Sequence, residues 1–333
     1  MYGVASRAGR GASARGEAVK FDDNRVDVSG VRDRRGGRGG GFGGGGLGAR
    51  RPSRGGIAVG GGGLGLVGLL VLVLVNVLGG GAGTGGTDVL GGIDFDQVQT
   101  GPGTGTGETD EELEARCNTE GAIEQYDDCY LIKVYNEANE VWTDNFAARN
   151  AEYQPPYLGF FDGQVDTGCG PATSSVGPFY CPPDREIFID LGFLAELQAQ
   201  FGAEGRPAQA YIMAHEIGHH LQTITGVSEQ VRAEQQRSPG AANDLSIALE
   251  LQADCYAGVW GKLAGEMGNV TITQDELGQA LAAAEAVGDD RIQQQTQGQV
   301  NPETWTHGSA EQRREWYERG YAAGDVATCN TFT

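Results

Sequence analysis

Apolar residues along this chain fall into three patterns. The first is an unbroken run. Residues 57–78 carry no charge, and from Leu64 to Leu78 they are dense in Leu and Val, interrupted only by Gly65, Gly68 and Asn76. As a helix this stretch would be about 33 Å long, close to the hydrocarbon thickness of a bilayer, and a transmembrane helix is predicted there. A buried core helix is the alternative. The second pattern is helical spacing. Tyr126, Tyr130, Val134 and Val141 predict one or two helices over 111–150. Ala210, Ala214, Ile217 and Leu221 mark a helix opened by Arg206-Pro207, while Leu249, Ala253, Ala257 and Trp260 mark a long one over 241–266. Shorter helices are expected over 191–201 and 228–237, the latter stopped by Pro239-Gly240. The third pattern is alternation. Residues 153–190 are rich in Pro, Gly and aromatics and end in Ile187-Phe188-Ile189-Asp190, which predicts turns and a small sheet. The fold class expected is α+β, mainly helical.

Composition divides the chain at the same places. Most of the 57 glycines precede residue 108, in runs such as 39–41, 43–46 and 60–63 that bury too little surface to offset backbone entropy. Up to Arg54 there are 12 Lys and Arg against 5 Asp and Glu; beyond it the balance is 12 against 40. The organisation expected is a basic, disordered cytoplasmic tail over 1–56, a transmembrane helix over 57–78, a Gly/Thr-rich linker over 79–109 and one domain over 110–333. Arg50, Arg51 and Arg54 flank only the leading end of the apolar run, which orients the tail inward and the domain outward. The Arg clusters suit anionic lipid headgroups; no aromatic interleaving or motif points to nucleic acid. Gly60 to Gly65 is no phosphate loop, because no Lys-Ser/Thr follows it.

All six cysteines, Cys117, Cys129, Cys169, Cys181, Cys255 and Cys329, lie beyond the apolar run. That placement favours disulfides in an extracytoplasmic domain, since no pair has the spacing of a zinc knuckle. Proximity along the chain suggests pairing 117 with 129, 169 with 181, and 255 with 329.

The chemistry concentrates in His215-Glu216-Ile-Gly-His219-His220. Four residues of helix turn about 400°, so the imidazoles of His215 and His219 lie on one face and can reach one zinc ion. Glu216 projects about 100° away, where a carboxylate can act on water instead of ligating metal. Gly218 is expected to leave the metal face uncrowded. In the long helix, Glu250 and Asp254 repeat the four-residue step. One can complete the zinc ligands and the other can hold a ligand imidazole through its second nitrogen.

These residues resemble a known family, the bacterial putative neutral zinc metallopeptidases, described as single-pass membrane proteins with one catalytic domain outside the cytoplasm. The resemblance runs through Val31-Arg-Asp-Arg-Arg-Gly-Gly, Gly168-Cys-Gly, Gly177-Pro-Phe-Tyr-Cys-Pro, Ala214-His-Glu-Ile-Gly-His-His, Glu250-Leu-Gln-Ala-Asp-Cys-Tyr-Ala-Gly-Val-Trp, Gly288-Asp-Asp-Arg-Ile-Gln and Trp305-Thr-His-Gly-Ser. The long helix is similar to the Glu-x-x-x-Asp helix of gluzincins, which implies a zincin-like domain with Glu250 as third ligand and Asp254 behind the ligands. Thr306-His307 through Arg313 is similar to the Thr-His-Pro-x-x-x-x-Arg segment of M48 peptidases, with Gly308 in place of the proline. The long Gly-rich insertions before the apolar run depart from the family's compact tail.

The resemblance implies a membrane-anchored zinc endopeptidase acting on protein or peptide substrates, with a metal-activated water and Glu216 as general base. A non-catalytic metal-binding or interaction domain of the cell envelope is the competing reading. Three uses are open to His307: fourth ligand, donor to the developing oxyanion, or structural histidine. The donor role is expected, with Arg313 as a second donor, because a closed fourth ligand leaves zinc no place for water.

Overall fold

The computed structural model describes residues 20–21, 24–35, 108–194, 205–268, 270–297 and 299–332. Among these no helix is long and apolar enough to cross a membrane. The apolar stretch 57–78 lies outside them, as do most of 1–56 and 79–109 and the greater part of the helix expected over 191–201.

Helices α1 (Asp110–Cys117), α2 (Ala122–Gln125) and α3 (Asp127–Ala147) follow one another. A capping box starts α1: Thr109 accepts from the Glu112 N–H while Glu112 accepts from the Thr109 N–H, occupying two donors the helix itself leaves free. Along α3 the residues Tyr130, Leu131, Val134, Ala138, Val141 and Trp142 are buried, at the expected spacing. Tyr126 departs from it. It caps α3 from outside, 37% exposed, with the Arg116 guanidinium 4.8 Å above its ring.

The main sheet has four strands: β2 (Val31–Asp33), β3 (Tyr157–Phe161), β7 (Glu186–Asp190) and β6 (Phe179–Cys181), in that order. The first three are parallel and β6 is antiparallel to β7. Leu158, Phe160, Ile187 and Ile189 face the main core, and Phe161, Phe179, Phe188 and Cys181 face a smaller one. The alternation read from 187–190 is therefore real, but both faces are covered. A hairpin of β4 (Gln164–Thr167) and β5 (Gly170–Thr173) contributes Val165 and Ala172 to that smaller core, and Cys169 in its turn is bonded to Cys181. A separate small pair joins β1 (Lys20–Phe21) to β8 (Val270–Thr271).

The helical layer is α4 (Gly205–Ile224), α5 (Val227–Arg237), α6 (Ala242–Met267), α7 (Gln274–Ala286), α8 (Asp289–Gln297) and α9 (Ala310–Ala323). Glycines let three of these approach closely. A Cβ on Gly218 would stand 3.0 Å from the Ala253 backbone, so this glycine sets the α4–α6 crossing and does not merely clear the metal face. On the other side of α6, a Cβ on Gly320 would stand 2.0 Å from the Cys255 carbonyl, so α6 and α9 meet backbone to backbone. The Cys255–Cys329 disulfide ties the chain end to α6, and Cys117–Cys129 ties α1 to α3. All three expected pairings form.

The disordered tail expected over 1–56 is corrected for residues 24–35. Val26, Val28 and Val31 are core residues, and β2 is an edge strand of the main sheet. Each buried valine contributes on the order of 1.5–3 kcal/mol, enough to order a short segment whose cations also find partners. Arg35, 5% exposed, pairs with Asp33 and Asp128; Arg32 and Arg34 pair with the buried Glu186. Composition hid this because two of the acids that neutralise these arginines, Asp128 and Glu186, lie more than 90 residues away.

Candidate metal centre

Helices α4 and α6, crossing at Gly218, bring His215, His219 and Glu250 together. The His215 and His219 Nε2 atoms are 3.1 Å apart, and Glu250 oxygens lie 3.3 Å from the first and 3.5 Å from the second. A tetrahedral zinc with ligands at 2.0–2.1 Å separates any two ligand atoms by about 3.3 Å, so this donor set fits that ion. The other face of each imidazole agrees. His215 Nδ1–H donates to Asp254 Oδ1 at 2.8 Å and His219 Nδ1–H to Gln222 Oε1 at 2.9 Å, leaving both Nε2 lone pairs directed at the centre. Burial alone would lower both imidazoles, but Glu250 beside His219 and Asp254 beside His215 outweigh it. His219 is raised to about 9, and His215 also stands above its ordinary value. Against its own burial, Glu250 is held well below the ordinary carboxylate range by the same imidazoles. The cluster favours positive charge at its middle.

Behind the ligands lies a fully buried polar layer. Asp254 accepts from Tyr211 Oη at 2.5 Å, from Arg313 Nε at 2.8 Å and from Arg313 Nη2 at 2.9 Å, as well as from His215. Burial would raise this carboxyl, but Arg313 and then His215 hold it below its ordinary value. Arg313 also donates to the Val287 carbonyl and to Tyr211. Against the donor role expected of Arg313, its N–H groups bond Asp254, the Val287 carbonyl and Tyr211. A second relay supports His219, with Gln222 donating to the Leu249 carbonyl and to Gln252, which donates to the Cys329 carbonyl.

Glu216 is fully buried, and neither of its oxygens makes a hydrogen bond of ordinary length and angle with a described residue, although the Tyr180 backbone stands close enough to act weakly on its carboxyl. Burial pushes its carboxyl up. His307, 1% exposed, stands outside the ligand triangle but close enough for its charge to act on Glu250. Its Nδ1 lies 3.2 Å from Asp289 Oδ1, and Asp289 Oδ2 accepts the backbone N–H groups of Thr306, His307 and Gly308. Burial would raise Asp289, but these bonds hold it ionised, below its ordinary value. Like Glu216, His307 Nε2 is buried and unpartnered. Of the eight buried unpartnered side-chain polar atoms among the described residues, four belong to Glu216, Glu250 and His307. Such atoms are rare in a settled core, and half of these eight lie in or beside the His215–His219–Glu250 cluster.

His220 turns away from the His215–His219–Glu250 cluster. It donates to the Gln154 carbonyl at 2.6 Å, accepts from Tyr180 Oη at 3.0 Å, and is pushed down to about 4 by burial. Sequence reasoning missed Tyr211, Gln222 and Asp289. The first two sit four residues before His215 and three after His219, a helical spacing that could have exposed them; Asp289 lies in Gly288-Asp-Asp-Arg-Ile-Gln, quoted for resemblance alone. A cavity of about 1200 Å³ between residues 25–30 and α3 contains none of these residues.

The description "putative neutral zinc metallopeptidase" matches residues 22–332, and the chain belongs to that family. It is 39% identical to the uncharacterized protein YpfJ of Escherichia coli (strain K12) over 288 residues, 85% of this chain and 94% of the relative. It is 44% identical to the uncharacterized protein Rv2575 of Mycobacterium tuberculosis (strain ATCC 25618 / H37Rv) over 228 residues, 66% of this chain and 75% of the relative. No solved structure matches the chain.

Proposed function

From membership of this zinc metallopeptidase family and the geometry of the cluster, we propose that the chain is a zinc-dependent endopeptidase with a zincin-like centre. His215, His219 and Glu250 would hold the ion, and Asp254 and Gln222 orient the two imidazoles. Zinc, when bound, supplies a Lewis acid for the scissile carbonyl and the attacking water. Glu216 takes the proton from that water and returns it to the leaving amine, a role that suits a carboxyl whose pKa burial has raised. His307 has committed Nδ1 to Asp289, so its Nε2, when it carries a proton, is the group available to the oxyanion.

The observation that carries this reading is Glu216: a fully buried carboxylate beside the ligand triangle with both oxygens unpartnered. A purely structural zinc site has no use for such a group, because leaving it unpaired costs stability without adding a ligand. In the full-length protein, His215→Ala, His219→Ala and Glu250→Ala should each abolish stoichiometric zinc. Glu216→Gln should keep one zinc per chain and lose cleavage of a peptide library. An unchanged digest with Glu216→Gln would overturn the catalytic reading and leave a metal-binding domain.

A further inference from the structure

Residues 24–35 are built into the same folded unit as residues 108–332. Val31 pairs with Leu158, Arg32 with Gly159 and Asp33 with Phe160, and the register extends at both ends, from the Leu158 N–H to the Gly30 carbonyl and from the Arg34 N–H to the Phe160 carbonyl, each at 2.9 Å. Val26 donates its N–H to Asn118 Oδ1 at 2.9 Å, and Asn136 brackets Asp27 through both its amide atoms. Charge makes the attachment obligatory. Glu186 is 1% exposed, and its ion pairs among the described residues are with Arg32 and Arg34. Without the segment this buried carboxylate would lose both partners, and β3 would become an open, apolar sheet edge. The chain also leaves and returns at one place: Arg35 and Arg116 share Asp128, at 2.9 and 2.7 Å, and Arg116 in turn pairs with Glu108 at 2.9 Å.

One helix through a bilayer puts its two flanks about 30 Å apart on opposite faces. If 57–78 crossed once, residues 24–35 would be separated from Leu158, Asp128 and Glu186 by the membrane. Recrossing would have to use 36–56, which holds Arg38, Arg50, Arg51 and Arg54, or 79–107, which holds Asp88, Asp94 and Asp96; neither offers a second uncharged apolar run. Docking onto a neighbouring copy does not help, because its own tail would lie on the wrong side too.

We propose that residues 20–21 and 24–35 are a structural part of the metallopeptidase domain and lie on the same side of any membrane as residues 108–332, an arrangement that a single crossing between the two would not allow. This replaces the topology that the arginines before residue 57 lead one to expect. The family match, which begins at residue 22, takes in the docked segment. The proposal is independent of catalysis.

The test uses the full-length chain, whose six native cysteines are all in disulfides and silent to thiol reagents. Ser29→Cys reports on the segment and Thr143→Cys on the domain; both positions are exposed. Asn24→Cys and Glu140→Cys, also exposed, form a second pair should either of the first fail to fold. Each variant is treated with a membrane-impermeant maleimide on sealed cells and on inside-out vesicles. Labelling of both members of a pair from the same face is the expected result. Labelling from opposite faces would overturn the proposal and restore a single crossing with an unfilled strand position beside β3.

Discussion

At the scale of single residues, the polar layer around the candidate metal centre contains both groups with an unpartnered polar atom and groups whose donors are committed to neighbours. His307 and Arg313 sit six residues apart, yet the first keeps a free buried nitrogen and the second has spent its donors on Asp254, Val287 and Tyr211. Their substitutions should therefore fail differently. His307→Ala should retain zinc near one per chain while turnover falls about 10²–10³-fold, the usual cost of one oxyanion donor. Arg313→Ala strands the buried Asp254 carboxylate. It should cost about 3–5 kcal/mol of stability and about 10–100-fold in zinc affinity, with Arg313→Lys restoring little because an ammonium cannot span both oxygens. Zinc titration alongside thermal melting distinguishes the two patterns. An Arg313→Ala protein with wild-type melting and metal affinity but slow turnover would reinstate the donor role.

Among the elements, β2 and the residues before it count for more than their length suggests. They cover three core valines, complete the parallel part of the sheet and neutralise Glu186 and half of the Asp128 site. A fragment beginning at residue 108 should lose at least about 5 kcal/mol, comparable to the whole stability of many domains, and fail to show a cooperative near-UV transition. A synthetic peptide of residues 20–36 should restore the transition in a concentration-dependent way. Acid should loosen the same junction. Asp128 faces Arg35 and Arg116, with Asp33 and Glu108 on the far sides of those guanidiniums. Burial would raise its carboxyl, but the two arginines hold it below its ordinary value, so it titrates lower folded than unfolded. Its contribution is thus fully present above about pH 4 and is lost as pH falls through the folded value. Melting temperatures measured from pH 7 to 2 should drop in that acid range for the wild type. Asp128→Asn should be less stable at pH 7 and show a shallower acid slope.

For the molecule as a whole, three disulfides brace a domain whose charge after Arg54 is strongly negative, and they are not equivalent. Cys117–Cys129 and Cys169–Cys181 each close 12 residues, whereas Cys255–Cys329 spans 74 and fastens the chain end over the Gln222–Gln252 relay. Replacing Cys255 and Cys329 together by alanine should cost about 4 kcal/mol by loop-closure entropy and loosen zinc, whereas either short bridge should cost about 3. Denaturant midpoints and metal content would check this. The difference between local and long-range pairing also governs what was legible in the sequence. His215 and His219 could be placed on one helix face with Glu216 to its side, Glu250 and Asp254 on one face of another helix, and the two 12-residue disulfides paired by proximity, leaving Cys255 for Cys329, because helical period and short loops are local properties that survive in a single string of residues. The tail was misread for the opposite reason. Arg35 looks like a solvated charge in a glycine-rich stretch until Asp128 is brought to it, and Arg313 looks like a free donor until Asp254 closes on it from 59 positions away. By itself the sequence determined the helices, their polar faces and the identity of the chemical groups. Which charges are buried, which glycine sets the α4–α6 crossing and which sheet residues 31–33 join were decided only by tertiary structure, because each depends on partners brought together by packing and not by any period along the chain.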